Sequence, residues 1–181
     1  FTHPGRGVDG YTEGKMNPAG GYMDMQWMSW TQLYPYVRAS NIAIQKLTAN
    51  EGGIDAGLAN RLLGEAYFMR GYLYSQLMRQ YGGVVLLTEP ITLESEAENP
   101  RSSFEATVNQ IVSDLDQAIS LLADAPASKA RAHKLTAHAL KSRVLTHAAS
   151  DLHDASKNGG VSTIAGYGNK DLVSYTSGSQ D

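Results

Sequence analysis

The chain has no cysteine, no long apolar run and no cluster of basic side chains. Without cysteine it can form no disulfide, no zinc–thiolate site and no thiol nucleophile. Its apolar runs stay below the roughly 18 residues of a membrane-spanning helix, so the sequence predicts no such helix. The 15 lysine and arginine residues are scattered and the formal net charge is −3. Nucleic acid is bound through a basic stripe, so the charge pattern argues against a nucleic-acid partner.

What the sequence does contain falls into three regions of different composition. Residues 1–28 are rich in glycine and predict loops, whereas residues 29–151 are rich in alanine and leucine and predict helices. Residues 152–181 turn to glycine, serine, asparagine and tyrosine and predict loops again. The length of 181 residues suits one domain.

Apolar side chains at three- and four-residue steps predict four helices in the middle region. The predicted helices cover about 31–49, 55–81, 103–123 and 134–150. The apolar stripe of the second helix comprises Leu62, Ala66, Met69, Leu73 and Leu77. The fold class that follows is all-α.

Local signals place the ends of these helices. Pro35 is expected in the first turn of its helix, where the missing N–H costs little. The Gly82-Gly83 pair is expected to end the second helix. The third helix is expected to start at Ser102 or Ser103, since Ser102 and Glu105 have the spacing of a capping box.

Short connections make the four helices two antiparallel pairs, 29–81 and 103–151. Gly64 and Gly71 lie on one side of the second helix, where small residues allow another helix to approach closely. The arrangement resembles tetratricopeptide-type helical hairpins. Between the pairs, the apolar run 84–87 is too short for a helix and is expected to cross the surface in extended form.

No catalytic or metal-binding pattern is recognisable. The C-terminal third carries four histidines: His133, His138, His147 and His153. No pair of them has the zinc-protease spacing, and the chain has no Gly-x-Ser-x-Gly elbow and no phosphate loop. Asp114 and Asp116 are two residues apart on a helix, so their carboxylates diverge and form no acid–base pair. We therefore expect no catalytic residues, no metal site and no cofactor.

Glu65 lies in an apolar stretch of the second helix. An isolated buried charge is costly, so Glu65 is expected to be paired, with Arg61 or Arg70 as its partner. We expect Glu65 and Arg70 to have structural roles among the helices.

Aromatic side chains are concentrated near the N-terminus. Trp and Tyr rings offer flat faces to the C–H surfaces of sugars, and nearby polar groups can bind the hydroxyls. The candidate ligand-binding residues are therefore Tyr22, Asp24, Gln26 and Trp27. Packing beneath the helices remains an equal alternative for Trp27. Trp30 and Tyr34, at the start of the first helix, are expected in the core.

Five stretches between about 30 and 151 resemble, in order, the motifs of the SusD/RagB family. They are Trp30-x3-Tyr34 leading to Ala39-Ser-Asn41, Gly64-Glu-Ala-Tyr-Phe-Met-Arg-Gly71, Tyr81-Gly-Gly-Val84, Arg101-Ser-Ser103, and Lys134-Leu-Thr-Ala137 through Ala139-Leu-Lys-Ser-Arg143 to Ala148-Ala-Ser150. Two positions depart from the family pattern. Val85 stands where proline is common, and His133 stands where threonine is common. Both are packing or capping positions.

The resemblance implies an all-α, tetratricopeptide-like scaffold with loop-rich N- and C-terminal segments. It makes residues 1–181 part of one SusD-like domain in a longer chain, whose signal and lipid anchor lie outside this fragment. It also implies an exterior-facing outer-membrane lipoprotein that binds oligosaccharide or another nutrient for a TonB-dependent SusC-like transporter and is not an enzyme. Ligand contacts in this family come from loops, so no binding residue is carried over by a motif.

Two other interpretations stay open at the level of sequence. A helical-repeat adaptor would bind a protein segment in its concave groove. A glycan hydrolase would need two converging carboxylates, and none can be placed in this sequence.

Overall fold

A computed structural model describes residues 28–91, 99–125, 128, 130–154 and 167–176. Four α-helices lie within these residues: α1 Trp30–Ala49, α2 Ala56–Tyr81, α3 Phe104–Leu121 and α4 Lys134–Ala148. Two short 3-10 turns, Asp151–His153 and Lys170–Leu172, follow α4. The described part of the chain contains no β-strand, only an isolated bridge between Asp154 and Tyr175. The all-α prediction is confirmed, and each helix end lies close to its predicted position.

The two helices of each predicted pair run antiparallel, as expected. The start of α1 meets the end of α2, where the Trp30 amide donates to the Tyr81 hydroxyl at 3.1 Å. The start of α4 likewise meets the end of α3, where the Lys134 amide donates to the Ala123 carbonyl at 3.0 Å. Helix α2 packs against both α1 and α3, and α3 packs against α4. Helix α2 is therefore the central element of the scaffold.

The close approach of α2 and α3 depends on two glycines, as the sequence indicated. A Cβ atom at Gly64 would lie 3.0 Å from the Leu121 Cβ, and one at Gly71 would lie 3.3 Å from Leu115. Both distances are tighter than ordinary van der Waals contact. The two glycines thus let the helices pack more closely than alanine would allow.

The core follows the predicted stripes with one exception. Its largest fully buried side chains are Tyr74, Phe104, Leu77, Met78, Ile111 and Leu115. Met69 was expected in the stripe of α2, but its side chain is 46% exposed. That prediction was wrong because α1 and α3 cover only part of the circumference of α2, and Met69 lies at the edge of the covered arc.

The prediction that placed Pro35 in the first turn of α1 was wrong, and the prediction for the start of α3 was right in position but wrong about the capping box. Pro35 lies in the second turn of α1, because the helix begins at Trp30 and the Leu33 amide already donates to the Ser29 carbonyl. The proline ring therefore removes a true intrahelical hydrogen bond, the one to Thr31. The N-cap of α3 is Ser103, whose side chain accepts from the Ala106 amide at 3.1 Å. Ser102 forms no capping box.

The segment 84–87 does not cross the surface as expected. Val84 is fully buried, and side chains from two helices bind the backbone of the segment. The Tyr34 hydroxyl donates to the Val85 carbonyl at 2.7 Å, and the Tyr74 hydroxyl donates to the Leu87 carbonyl at 2.9 Å. The backbone of this segment can pack against the helices because these side chains satisfy its polar groups.

Gly82 and Gly83 end α2 and also permit three backbone segments to meet. Gly82 has a φ of 73°, which favours glycine. The Gly83 amide donates to the Leu172 carbonyl at 2.6 Å. A Cβ at Gly83 would overlap the carbonyl oxygen of Ser102. The glycine pair therefore fixes the contact between the end of α2, the start of α3 and the turn 170–172.

Candidate functional site

A buried polar centre joins three helices and the 84–89 segment. The Arg70 guanidinium makes a two-pronged ion pair with Asp114, with Nε to Oδ2 at 2.9 Å and Nη2 to Oδ1 at 2.6 Å. Its Nη1 donates to the Asn41 Oδ1 at 2.9 Å and to the Thr88 carbonyl at 3.0 Å. The Gln110 amide donates to Asp114 at 3.0 Å. Each residue of this network therefore forms at least one hydrogen bond with another residue of it.

The electrostatics of this centre are those of a structural ion pair. Burial disfavours the charge on Arg70, but the hydrogen bonds and the charge of Asp114 outweigh it and raise the pKa of the guanidinium. Burial also raises the pKa of the Asp114 carboxyl, while the bonds from Arg70 and Gln110 act in the opposite direction. The pair is enclosed by helices and presents no face to a substrate. The expected structural role of Arg70 is confirmed.

The predicted partners of Glu65 were wrong. Glu65 pairs with Arg131, which follows α3 in the connection to α4, and both carboxylate oxygens accept from the guanidinium. The two side chains are 17% and 40% exposed, so the pair lies near the surface. Arg70 forms its ion pair with Asp114 instead. The structural role expected for Glu65 holds, but the contact ties α2 to the α3–α4 connection.

The two candidate acid–base carboxylates diverge, as the sequence predicted. Asp114 is buried against Arg70, whereas Asp116 points outward and pairs with Lys141 at 2.6 Å.

Among the described residues, no group of three or more His, Asp or Glu side chains could hold a metal ion. None of the described helices is both long enough and apolar enough to cross a membrane.

Trp30 and Tyr34 lie against the core, as predicted. The Trp30 ring centroid lies 4.9 Å from that of Tyr34 and 5.4 Å from that of Tyr81, the latter in an edge-on arrangement. Burial raises the pKa of the Tyr34 hydroxyl above its usual range, and the neighbouring Tyr74 adds to that shift. The Gln80 amide donates to the Met28 carbonyl at 3.0 Å. These contacts anchor the start of α1 to the end of α2.

The predicted ligand-binding residues fall outside the described part of the chain. They are Tyr22, Asp24, Gln26 and Trp27, and their role stays a prediction. What the structure does define is the anchored backbone that follows them, at Met28 and Trp30.

An open cleft of about 390 Å³ shares the two residues that anchor the start of α1, Gln80 and Tyr81. The cleft lies between the end of α2 and the segments after α4. Its lining combines a tyrosine ring, aliphatic side chains, an amide, a guanidinium and an imidazole, contributed by Tyr167, Leu152, Val173, Gln80, Arg79 and His153 among others. The Tyr167 residue is 40% exposed. An exposed ring beside a few polar groups is the composition that sugar recognition requires.

Tyr167 lies in the segment 152–181, which the sequence predicted as loop, but the sequence did not predict this cleft. The cleft forms because the turn 170–172 returns to Gly83, far away in sequence. No local pattern in the sequence encodes that contact.

Comparison with known proteins gives the family. A SusD-like family model, described as starch-binding and associating with the outer membrane, matches residues 13–145. A SusD-like protein of Formosa agariphila, P38, is 30% identical over 94 residues, which cover 51% of this chain and 18% of that protein.

Solved structures agree with this match. A SusD-like protein from Bacteroides fragilis is 33% identical with a TM-score of 0.59, covering 77% of this chain and 26% of that one. A laminarin-binding SusD-like protein has a TM-score of 0.67 at 24% identity, covering 84% of this chain and 33% of that one, and shows the shared fold. The chain thus spans a third or less of the length of these relatives.

Proposed function

The chain belongs to the SusD-like family, described as starch-binding and associated with the outer membrane, and from this premise we propose that the full-length protein captures oligosaccharide at the bacterial surface. The family match over residues 13–145 is the observation that carries this proposal. In this proposal, the protein binds the glycan and has no catalytic role. It passes the glycan to a SusC-like, TonB-dependent transporter and is held at the membrane by a lipid anchor.

The separate locations of the helix-joining polar groups and of the groups suited to a sugar support this proposal. Three polar side chains with several hydrogen bonds each, Arg70, Asp114 and Asn41, join helices and are buried. Groups suited to a sugar lie at the end of α2 and in the loops. They are the cleft residues Gln80 and Tyr167 and the N-terminal segment with Trp27. The helices are therefore proposed as the frame and the loops as the ligand-binding face.

The first experiment tests glycan binding directly. The full-length protein is run on native gels that contain starch or laminarin, and retardation is compared with a gel that contains no glycan. Starch is named by the family description and laminarin by one structural relative. We expect retardation on at least one glycan. Unchanged mobility on every glycan would contradict the proposal.

A pair of exposed tyrosines tells whether glycan binds in the cleft or in the groove that a protein-binding adaptor would use. Between α1 and α2 lies an apolar groove of about 500 Å³, lined by Tyr36 and Met69 among others. Tyr36 is 59% exposed there, which favours an adaptor that binds a protein segment. Tyr167→Ala should weaken retardation by the glycan and Tyr36→Ala should not. If only Tyr36→Ala reduced retardation, the cleft would be the wrong site.

A second experiment tests the partner. The full-length protein is isolated with its membrane from the native cell under mild detergent, and co-purifying proteins are identified by mass spectrometry. We expect a TonB-dependent transporter in stoichiometric amount. Isolation of the protein without any outer-membrane transporter would contradict this part of the proposal while leaving glycan binding intact.

A further inference from the structure

Two histidines face each other where α4 ends. His147 lies in the last turn of α4, and His153 closes the turn 151–153 that follows. Their Nε2 atoms are 3.3 Å apart, and their ring planes are inclined by 59°. One ring belongs to α4 and the other to the turn after it, so helical spacing did not reveal the pair.

The ring of His153 is fixed in both position and tautomer. It stacks on Phe104, with ring centroids 4.3 Å apart, and its Nδ1 donates to the Val173 carbonyl at 2.7 Å. With the proton on Nδ1, the Nε2 of the neutral ring carries the lone pair and accepts the 3.3 Å hydrogen bond from the Nε2–H of His147, whose proton a bound metal ion would replace. A carbonyl that binds Nδ1–H in this way is the usual companion of a metal-binding histidine.

We propose that His147 and His153 together bind a divalent transition-metal ion, Cu²⁺ or Zn²⁺, through their Nε2 atoms. Zinc–imidazole bonds are about 2.0–2.1 Å long, and two of them at a tetrahedral angle hold the nitrogens about 3.3 Å apart. The observed separation of 3.3 Å matches this value. Water fills the remaining positions, since the described residues offer no third ligand.

The surroundings favour a neutral His147 and leave room for solvent. Burial lowers the pKa of His147 below its usual range, and the neighbouring His153 and Arg79 lower it further. A neutral imidazole is the form that binds metal. His147 lines a cleft of about 380 Å³ between α2 and α4, and His153 lines the cleft that holds Tyr167. Arg79 lies at both clefts, and its positive charge limits the affinity for a cation.

A bound ion would link α4 to the C-terminal segments. His147 belongs to the helix, while His153 is bonded through Val173 to the segment 170–176. The metal would therefore stabilise the wall of the cleft that carries Tyr167, which goes beyond the proposed glycan binding and does not depend on it.

The test is a titration of the metal-free, full-length protein, prepared without a histidine tag, with Cu²⁺ or Zn²⁺ alone. Calorimetry should show one site, with Cu²⁺ tighter than Zn²⁺ in the usual order for nitrogen ligands. His147→Gln should weaken binding at least about tenfold, as expected for the loss of a ligand. His138→Gln, an exposed histidine on the same helix, is the matched control and should bind as the wild type does. Equal affinity in the wild type and His147→Gln would overturn the proposal.

A second measurement needs no substitution and so does not depend on the folding of a variant. The ring nitrogens of the histidines are followed by NMR in ¹⁵N-labelled protein as Zn²⁺ is added. The signals of His147 and His153 should shift together while those of His133 and His138 stay in place. If no ring of this pair shifted, the contact would be only a hydrogen bond between two imidazoles, and the metal site would be refuted.

Discussion

Replacing Asp114 with alanine should be among the most damaging single changes in the helical scaffold. The substitution removes the carboxylate that accepts two hydrogen bonds from Arg70 and one from Gln110. Arg70 then keeps its bonds to Asn41 and Thr88 but loses the only negative charge paired with it among the described residues. Its side chain is only 6% exposed, so solvent cannot replace the lost partner.

The expected cost is about 3–5 kcal/mol of unfolding free energy, the usual result of leaving a buried charge unpaired. Asp116→Ala provides a matched control on the same helix. Its partner is Lys141, and both side chains are partly exposed, so the loss should be below about 1 kcal/mol. Both variants remove one carboxylate, so the difference between their unfolding free energies measures the effect of burial.

The assay is urea unfolding of the full-length protein, followed by circular dichroism at pH 7. A third variant, Arg70→Met with Asp114→Leu, removes both charges and should recover much of the loss, because an apolar pair needs no counter-charge. If Asp114→Ala were no more costly than Asp116→Ala, the buried pair would not hold the helices together as inferred.

Three further changes test other parts of the structure. Gly83→Ala should lower the unfolding free energy by about 1–3 kcal/mol or more, because the new Cβ overlaps Ser102, whereas Gly168→Ala has nothing within 4 Å and should be neutral in the same urea assay. Glu65→Ala should lower the melting temperature in calorimetry by less than Asp114→Ala does, since Arg131 can be solvated; an equal loss would contradict the surface placement of that pair. The pKa of His147 is lower in the folded state, so in metal-free buffer the unfolding free energy should fall as pH drops through about 6.5, and this fall should shrink in His147→Gln.

The sequence predicted the elements that depend on local pattern. The stripes of α1 to α4 repeat at helical steps, so the helices could be placed to within a few residues. Gly64 and Gly71 could be assigned to a helix contact because both lie on one side of α2. Met69 could not be separated from the stripe, since the pattern does not show how far the neighbouring helices reach around α2.

The ion-pair partners of the charged side chains could not be predicted from the sequence, for a different reason. Arg70 and Asp114 are 44 residues apart, and Glu65 and Arg131 are 66 apart. Their meeting depends on how three helices pack, which no spacing encodes. Sequence proximity therefore favoured Arg61 or Arg70 for Glu65, and both were wrong. The same limit applies to the cleft at Tyr167, which forms only when the chain returns to Gly83.

Calorimetric titration with starch-derived and laminarin-derived oligosaccharides tests the proposal that the full-length protein binds glycan through its loops on a helical frame. We expect saturable binding to one of them, weakened by about 1–3 kcal/mol in Trp27→Ala with an unchanged melting temperature. Trp30→Ala, in the packed ring cluster, should instead lower stability by about 3 kcal/mol. No saturable binding of either glycan by the wild-type protein would contradict the claim.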